Sequence, residues 1–181
     1  MTDNAKVTGL IGGPEKRQIE ILNYQPTWPQ KFQQHADLIA KALNYAALRI
    51  EHIGSTSVPG LASKPIIDIL LVVQDSADEG SYLPHLEATG YELRVREPEW
   101  HEHRMFRTPD RDVHIHVFTI GCPEIARNLT FRDQLRKNAE DRLLYEQTKR
   151  RLATQDWPTM NDYAKAKTDV IEGILAAASK K

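Results

Sequence analysis

Hydrophobic positions that recur every three or four residues predict a helix in the first quarter of the chain. The recurring residues are Trp28, Phe32, Ala36, Ile39 and Leu43. This spacing is typical of one face of an amphipathic α-helix. Thr27 precedes it as a suitable N-cap, and Pro29 fits its first turn, where no backbone N–H is needed. We therefore predict an α-helix after Thr27 that packs its apolar face on the rest of the fold.

Three aliphatic runs predict the central strands of a sheet. The run 48–53 is short, and the run 66–73 is almost wholly aliphatic, as in a central strand covered on both faces. The run 112–120 alternates, so that His114 and His116 share one face while aliphatic residues occupy the other. These runs predict the middle of a sheet that carries two histidines on one side.

Weaker patterns between these runs complete the predicted architecture. We predict a helix over 76–89, strands near 91–96 and 103–108, and a hairpin turn at 108–111. A strand, a helix, a strand and a hairpin in succession are typical of a mixed sheet with helices packed against it. The predicted fold class is therefore α/β (α+β).

Changes in pattern divide the chain into three parts. Residues 1–22 contain several glycines and no sustained periodicity, and they predict an N-terminal arm that ends in a short strand near 19–22. Residues 23–122 hold the predicted α/β core, and residues 123–181 predict a C-terminal helical lobe or cap. Helices in this lobe are predicted over 128–137 and onwards from Asn138 and Thr159.

Composition narrows the classes of function. The chain has 181 residues with 24 Lys+Arg and 25 Asp+Glu, so its overall charge favours neither duplex nucleic acid nor an anionic membrane as a partner. Its single cysteine, Cys122, excludes an internal disulfide and any zinc site with several cysteines. The longest apolar run is short and interrupted by Asp68, so no membrane span is predicted. The polar N-terminus lacks an apolar signal core, and we expect a cytoplasmic protein.

A polar turn and a buried carboxylate are the first candidates for chemistry. The strand 48–53 leads into Gly54-Ser55-Thr56-Ser57, where backbone N–H groups and hydroxyls could approach an anion closely. Lys64 adds a positive charge nearby. Asp68 then falls within an aliphatic strand, where an unpaired carboxylate is costly. A divalent metal, or a basic partner such as Lys64 or an arginine, would compensate it.

The histidines are the second set of candidates. His114 and His116 are two residues apart on a predicted strand, so they could share a metal or flank a phosphate as general acid and base. The alternative is a pair of histidines on a half-exposed sheet face. His101 and His103 lie in an acid-rich segment that we interpret as a solvated loop.

Five motifs give the chain a resemblance to the GrpB family (UPF0157) over about residues 20–175. The longest is RIEHIGSTSVPGLASKPIIDI at 49–69, and the others are HIHVF at 114–118, FRDQLR at 131–136, Tyr145 to Lys149 and Tyr163 to Lys167. The resemblance implies a nucleotidyltransferase-like mixed sheet with flanking helices and a C-terminal helical cap. In that superfamily a Gly-Ser turn precedes a strand with Asp-x-Asp or Asp-x-Glu, and carboxylates hold two Mg²⁺ ions.

The sequence departs from the superfamily pattern at the metal ligands. Gly54, Ser55 and Asp68 match, but Leu70 replaces the second carboxylate and His116, with His114, stands at the third position. One carboxylate with imidazoles is a poor cage for two hard dications and better suited to a single Mn²⁺ or Zn²⁺ ion than to Mg²⁺.

The resemblance assigns roles to individual residues. Asp68 and His116 are expected to be catalytic, and Asp68, His114 and His116 to bind a divalent metal. The residues expected to bind phosphates are Gly54, Ser55, Thr56, Ser57, Lys64, Arg132, Arg136, Lys149 and Lys167. Asp133, Tyr145 and Tyr163 would support that cleft. For Arg132 and Arg136, a solvated helix face is the alternative.

These residues are compatible with three functions. The first is metal-assisted nucleotidyl transfer on a nucleotide or phosphate ester, with an unidentified acceptor. The second is a non-catalytic sensor that binds a nucleotide or metabolite, which Leu70 favours. A coenzyme A-related ligand is suggested because family members occur fused to dephospho-coenzyme A kinase. The third is a protein-interaction module that uses the helical lobe.

Overall fold

The computed structural model describes residues 9–179 of the chain. Within this range the strands are β1 (Gly9–Leu10), β2 (Arg49–Ile53), β3 (Ile67–Val73), β4 (Glu92–Glu97), β5 (His103–Arg107) and β6 (Val113–Thr119). The α-helices are α1 (Trp28–Leu43), α2 (Leu83–Ala88), α3 (Pro123–Lys137), α4 (Ala139–Ala153), α5 (Met160–Lys165) and α6 (Thr168–Ala178). The α/β fold class predicted from the hydrophobic pattern is thus confirmed.

The six strands form one mixed sheet in the order β1-β4-β5-β6-β3-β2. The pair β3–β6 is parallel, and every other neighbouring pair is antiparallel. The parallel register places Asp68 beside His114 and Leu70 beside His116. This pairing decides which polar side chains meet, because both strands direct alternate residues to the same face.

Strand β3 is covered on both faces, as its aliphatic sequence predicts. On one face Ile67, Ile69 and Leu71 are fully buried in a core that α1 and α2 complete. On the other face Leu70 packs with Ile53, Val72 and Phe118. Asp68 is the partly exposed residue of this strand, so the site forms where the second face opens.

The C-terminal helices pack on the loop that follows the polar turn. Val58 and Leu61 from this loop form a buried cluster with Leu135, Tyr145 and Ile174. The helical segment therefore shares its packing with the residues that lead from β2 to β3. None of the described helices has the length and apolar character needed to cross a membrane.

Four local predictions were wrong in extent, and one of them is the helix predicted over 128–137, which begins at Pro123 as α3. The helix predicted over 76–89 is reduced to α2, preceded by a 3₁₀ turn, because Gly80 disfavours a helix and Pro84 suits only a first turn. The single last helix is divided into α5 and α6, although no helix breaker stands between them. In place of a strand near 19–22, only Leu22 forms an isolated bridge, with Ser63.

Candidate functional site

The polar turn after β2 passes directly over Asp68. Gly54 has φ 69° and ψ −175°, a conformation that favours glycine. A Cβ atom at this position would stand 2.5 Å from Asp68 Oδ2. Thr56 donates a hydrogen bond to the Ile66 carbonyl oxygen at 3.1 Å, and Ser57 donates to the Gly54 carbonyl oxygen at 2.6 Å. Glycine is thus required here because a Cβ atom would collide with the carboxylate.

Asp68, His114 and His116 converge on one face of the sheet. Asp68 Oδ1 lies 3.6 Å from His114 Nδ1 and 3.6 Å from His116 Nε2. One potential ligand atom from each residue lies within 4.8 Å of the other two. The side chains are between 24% and 30% exposed, so the cluster is accessible from the solvent side.

The electrostatics of the cluster favour a bound cation. Burial raises the pKa of Asp68, but its interaction with His116 and the charges of His114 and Lys64 outweigh this effect and hold the pKa below its usual value. Burial lowers the pKa of His114 to about 4, against the opposing charge of Asp68. An ionised carboxylate beside imidazole nitrogens is a donor set that suits Mn²⁺ or Zn²⁺. The residues present therefore fit a single divalent metal ion.

A cavity of about 390 Å³ opens in front of this cluster. It lies between the polar turn, strands β3 and β6, and helices α4 and α5. Besides the cluster, the predicted residues on its wall are Gly54, Ser55, Lys64, Tyr145, Lys149, Tyr163 and Lys167. Residues far apart in sequence thus meet at one pocket.

Three lysines and two tyrosines make part of the cavity wall cationic and aromatic. Lys64 and Lys167 place their ammonium groups 5.1 and 4.8 Å from the centre of the Tyr163 ring, and Lys149 lies 4.8 Å from that of Tyr145. Burial, together with neighbouring cations, lowers the pKa of Lys64 to about 8 and that of Lys149 to about 7. A buried ammonium group is stabilised by an anion, so this wall suits a negatively charged ligand.

Tyr163 strengthens the case for a ligand. Its ring is fully buried, and among the described residues its hydroxyl is the buried side-chain polar atom without a hydrogen-bond partner. Such atoms are rare because an unsatisfied buried hydroxyl is costly. A ligand that accepts a hydrogen bond from this hydroxyl would remove the cost.

Arg132 and Arg136, predicted to bind phosphates, do not line this cavity. Arg132 contacts Glu51 at 2.7 Å and Asp133 at 2.8 Å, and Arg136 donates to the Ser57 carbonyl oxygen at 2.7 Å. They border a separate surface cleft instead. In the structure Arg136 contacts the polar turn, and Arg132 contacts β2, which leads into it.

His103 is a site residue that the sequence interpretation missed. The prediction of a solvated position was wrong, because His103 begins β5 and is only 5% exposed. Its Nε2 lies 3.1 Å from His116 Nδ1, and its Nδ1 lies 2.7 Å from Glu97 Oε2. Burial and the charges of His116 and Arg104 lower its pKa to about 3. The predicted hairpin of 103–108 with 112–120 was the signal that could have placed it beside His116.

The N-terminal segment contributes a second unpredicted part of the wall. Glu15 lies 2.8 Å from Arg107 and 3.7 Å from Arg94, and all three residues line the cavity. Arg94 also donates to the carbonyl oxygens of Ile11 and Gly13. It sits at an irregularity in the β4–β5 pairing, a feature that redirects side chains. No local sequence pattern connects these residues.

Comparisons with known proteins agree with this architecture. The family model described as GrpB protein matches residues 18–177. A UPF0157 protein of Halalkalibacterium halodurans is 51% identical, over 92% of this chain and 85% of its own length. The crystal structure of the conserved protein GrpB from Enterococcus faecalis superposes with a TM-score of 0.79 at 34% identity, covering 89% of this chain and 98% of that one.

A weaker relative carries the name of an enzyme. A dephospho-CoA kinase of Mycolicibacterium paratuberculosis is 27% identical over 73% of this chain, which corresponds to 39% of the kinase. The extent of the family match, together with the close relative and the shared structure, identifies the family. The chain belongs to the GrpB family.

Proposed function

We propose that the protein is a metal-dependent enzyme that acts on a nucleotide or another phosphate ester, with nucleotidyl transfer as its reaction. The observation that carries the proposal is the convergence of Asp68, His114 and His116 on a cavity whose other wall is lined with lysines. A metal site and a cationic wall in one pocket are the two features that phosphoryl chemistry uses. The acceptor stays unidentified.

Each part of the cavity has a chemical role in this proposal. Asp68, His114 and His116 hold one divalent ion, which would polarise a phosphoryl oxygen and stabilise developing charge. Ser55 contacts the phosphates from the polar turn. The predicted phosphate-binding lysines that line the cavity, Lys64, Lys149 and Lys167, neutralise the charge of the phosphates, and they do so more strongly than in water because they are buried.

A second candidate is a protein that binds a phosphorylated metabolite without catalysis. Leu70 is fully buried against Ile53, Val72 and Phe118, so the second carboxylate of the superfamily is replaced by core packing. One metal with few ligands is weaker support for transfer than the two-metal arrangement. The kinase name of a partial relative makes coenzyme A precursors reasonable ligands to test.

Thermal unfolding with ligands separates the candidates. We expect ATP or dephospho-coenzyme A to raise the Tm of the wild-type protein more with Mn²⁺ than without it, because the ligand and the metal bind together. Asp68→Asn should abolish the Mn²⁺-dependent part of this shift. Asp110→Asn, which changes an exposed aspartate in the β5–β6 turn, is the matched control and should leave it unchanged.

Other results would lead elsewhere. A ligand-induced shift that needs no metal and survives Asp68→Asn would contradict the enzyme and support the metabolite-binding protein. The absence of a shift with every nucleotide and metabolite tested would contradict both and favour a protein-interaction module.

A further inference from the structure

Three residues from adjacent strands form a hydrogen-bonded row that ends at the candidate metal site. Glu97 at the end of β4 contacts His103 at the start of β5, and His103 contacts His116 in β6. His116 then directs its other ring nitrogen towards Asp68. We propose that His103, held by Glu97, is a positioning residue that forces His116 to present an unprotonated Nε2 to the metal. This inference rests on the metal site of the proposed function.

The direction of donation follows from the chemistry of each group. An ionised carboxylate only accepts hydrogen bonds, so His103 Nδ1 must carry the proton that Glu97 accepts. A neutral imidazole has one protonated nitrogen, which leaves His103 Nε2 as an acceptor. The hydrogen bond to His116 must then come from His116 Nδ1–H. The lone pair of His116 is consequently on Nε2, the nitrogen that faces Asp68.

This arrangement makes the cluster a site for a cation. His116 Nε2 and Asp68 Oδ1 lie 3.6 Å apart, and both are acceptors under this assignment. Two acceptors at that distance repel unless a cation lies nearby. Outer residues that fix the tautomer of a metal-binding histidine commonly increase metal affinity by ten to one hundred times.

The surroundings of His103 hold its ring in this orientation. The ring is stacked on Phe118 with centroids 4.8 Å apart, and it lies nearly parallel to His116 at an interplanar angle of 14°. Trp100 packs edge-to-face against the His103 ring, with ring centroids 5.2 Å apart. His103 is 5% exposed, so water competes little for its nitrogens.

The opposite direction of donation would require a protonated Glu97 or a His103 ring with protons on both nitrogens, and the 5% exposure of His103 disfavours that cation. Burial raises the pKa of Glu97, against the charge of His116, but the side chain is still 43% exposed, and this contact with water supports its ionised form. The geometry therefore favours the row in which every proton is donated towards Glu97.

Two substitutions of His103 isolate the hydrogen bond from the packing. His103→Phe keeps an aromatic ring in the stack but removes the acceptor for His116, and we expect Mn²⁺ and Zn²⁺ affinity to fall 10- to 100-fold. His103→Gln places a carbonyl oxygen near the position of Nε2 and should restore most of the affinity. Isothermal titration calorimetry with each metal alone measures this, and thermal unfolding confirms that both variants are folded.

A second readout needs no metal. The ¹⁵N and ¹H resonances of the His116 ring in the metal-free wild-type protein should show the proton on Nδ1, and His103→Phe should lose this preference. A proton on His116 Nε2 in the wild-type protein, or equal metal affinity of the wild-type and His103→Phe proteins, would overturn the inference. If the wild-type protein binds neither metal, the proposed metal centre fails, and the His116 resonances still decide the tautomer.

Discussion

At the scale of single residues, Gly54 and Asp68 depend on each other, because any side chain at position 54 would collide with the carboxylate of Asp68. A Cβ atom at Gly54 would meet Asp68 Oδ2 at 2.5 Å, whereas one at Gly60 would meet nothing within 4 Å. Both glycines have positive φ, at 69° and 79°. Both positions therefore require a positive φ, but only Gly60 has room for a Cβ atom.

Gly54→Ala is expected to damage both stability and the metal site. We expect the free energy of unfolding to fall by about 3 kcal/mol from backbone strain and overpacking. Metal affinity should also fall, because Asp68 must move. Gly60→Ala, the control, should cost about 1–2 kcal/mol and leave metal affinity intact. Urea unfolding and metal titration measure the two effects, and equal metal affinity in both variants would contradict this account.

Lys149 gives the protein a predictable dependence on pH. The groups that face it are Glu146, Arg150, Lys64 and Lys167. Burial, with the three cations, lowers the pKa of Lys149 from 10.5 to about 7, against the effect of Glu146. Between these values the unfolded chain binds more protons than the folded protein does, so the contribution of Lys149 to stability increases with pH.

Replacing Lys149 should therefore flatten the pH profile of stability. In the ligand-free protein we expect the free energy of unfolding to rise less between pH 7 and about pH 10 in Lys149→Met than in the wild type. Lys137→Met, at an exposed lysine of α3, is the matched control. Denaturant unfolding at several pH values measures the slopes. An unchanged slope in Lys149→Met would show that this lysine is not the cause.

Among the secondary-structure elements, two helix starts that look alike in sequence differ in the structure. Asn138 accepts hydrogen bonds from the backbone N–H groups of Glu140 and Asp141, at 2.9 and 3.1 Å. Thr27 occupies the N-cap position of α1, but its side chain makes no capping hydrogen bond. The identity of an N-cap residue thus predicts the position of a helix start and not the bond itself.

Asn138→Ala should therefore cost more than Thr27→Ala. We expect a loss of about 1 kcal/mol in the free energy of unfolding for Asn138→Ala, since two backbone donors lose their acceptor. The loss for Thr27→Ala should be close to zero. Equilibrium unfolding in urea compares the two, and equal losses would refute the assignment of the cap.

Over the whole molecule, the N-terminal segment joins the sheet to helix α5. Glu15 binds Arg107 through its side chain, and its carbonyl oxygen accepts a hydrogen bond from the Met160 N–H at 2.8 Å. Strand β1 adds to β4 at the edge of the sheet. The segment predicted as an arm therefore closes one side of the cavity.

Removal of residues 1–17 should destabilise both elements that this segment contacts, strand β4 and the start of helix α5. We expect the free energy of unfolding to fall by about 1–3 kcal/mol, because Arg94 and Arg107 lose the carboxylate of Glu15. Amide exchange at Met160 and along β4 should become faster. Removal of residues 1–8, which retains every contact described here, is the control. An unchanged rate of amide exchange at Met160 in the longer deletion would contradict the conclusion that this segment closes one side of the cavity.

Local sequence patterns were sufficient to predict features that depend on a single secondary-structure element. Strands β2, β3 and β6 follow their hydrophobic runs because side-chain alternation depends only on neighbouring residues. The motif at 49–69 indicated the family for the same reason, since it is continuous in sequence. Local patterns could not predict the burial of His103, because this burial depends on Phe118 and His116, which lie in another strand.

The amino-acid sequence by itself determined the family, the α/β class, and the residues Asp68, His114 and His116 as a candidate metal site. Only the tertiary structure decided that Lys64, Lys149 and Lys167 share their cavity while Arg132 and Arg136 face another cleft. It likewise decided that Glu97, His103 and His116 lie in one hydrogen-bonded row. The physical reason is that these outcomes depend on strand register and helix packing, which bring together side chains that no local pattern connects.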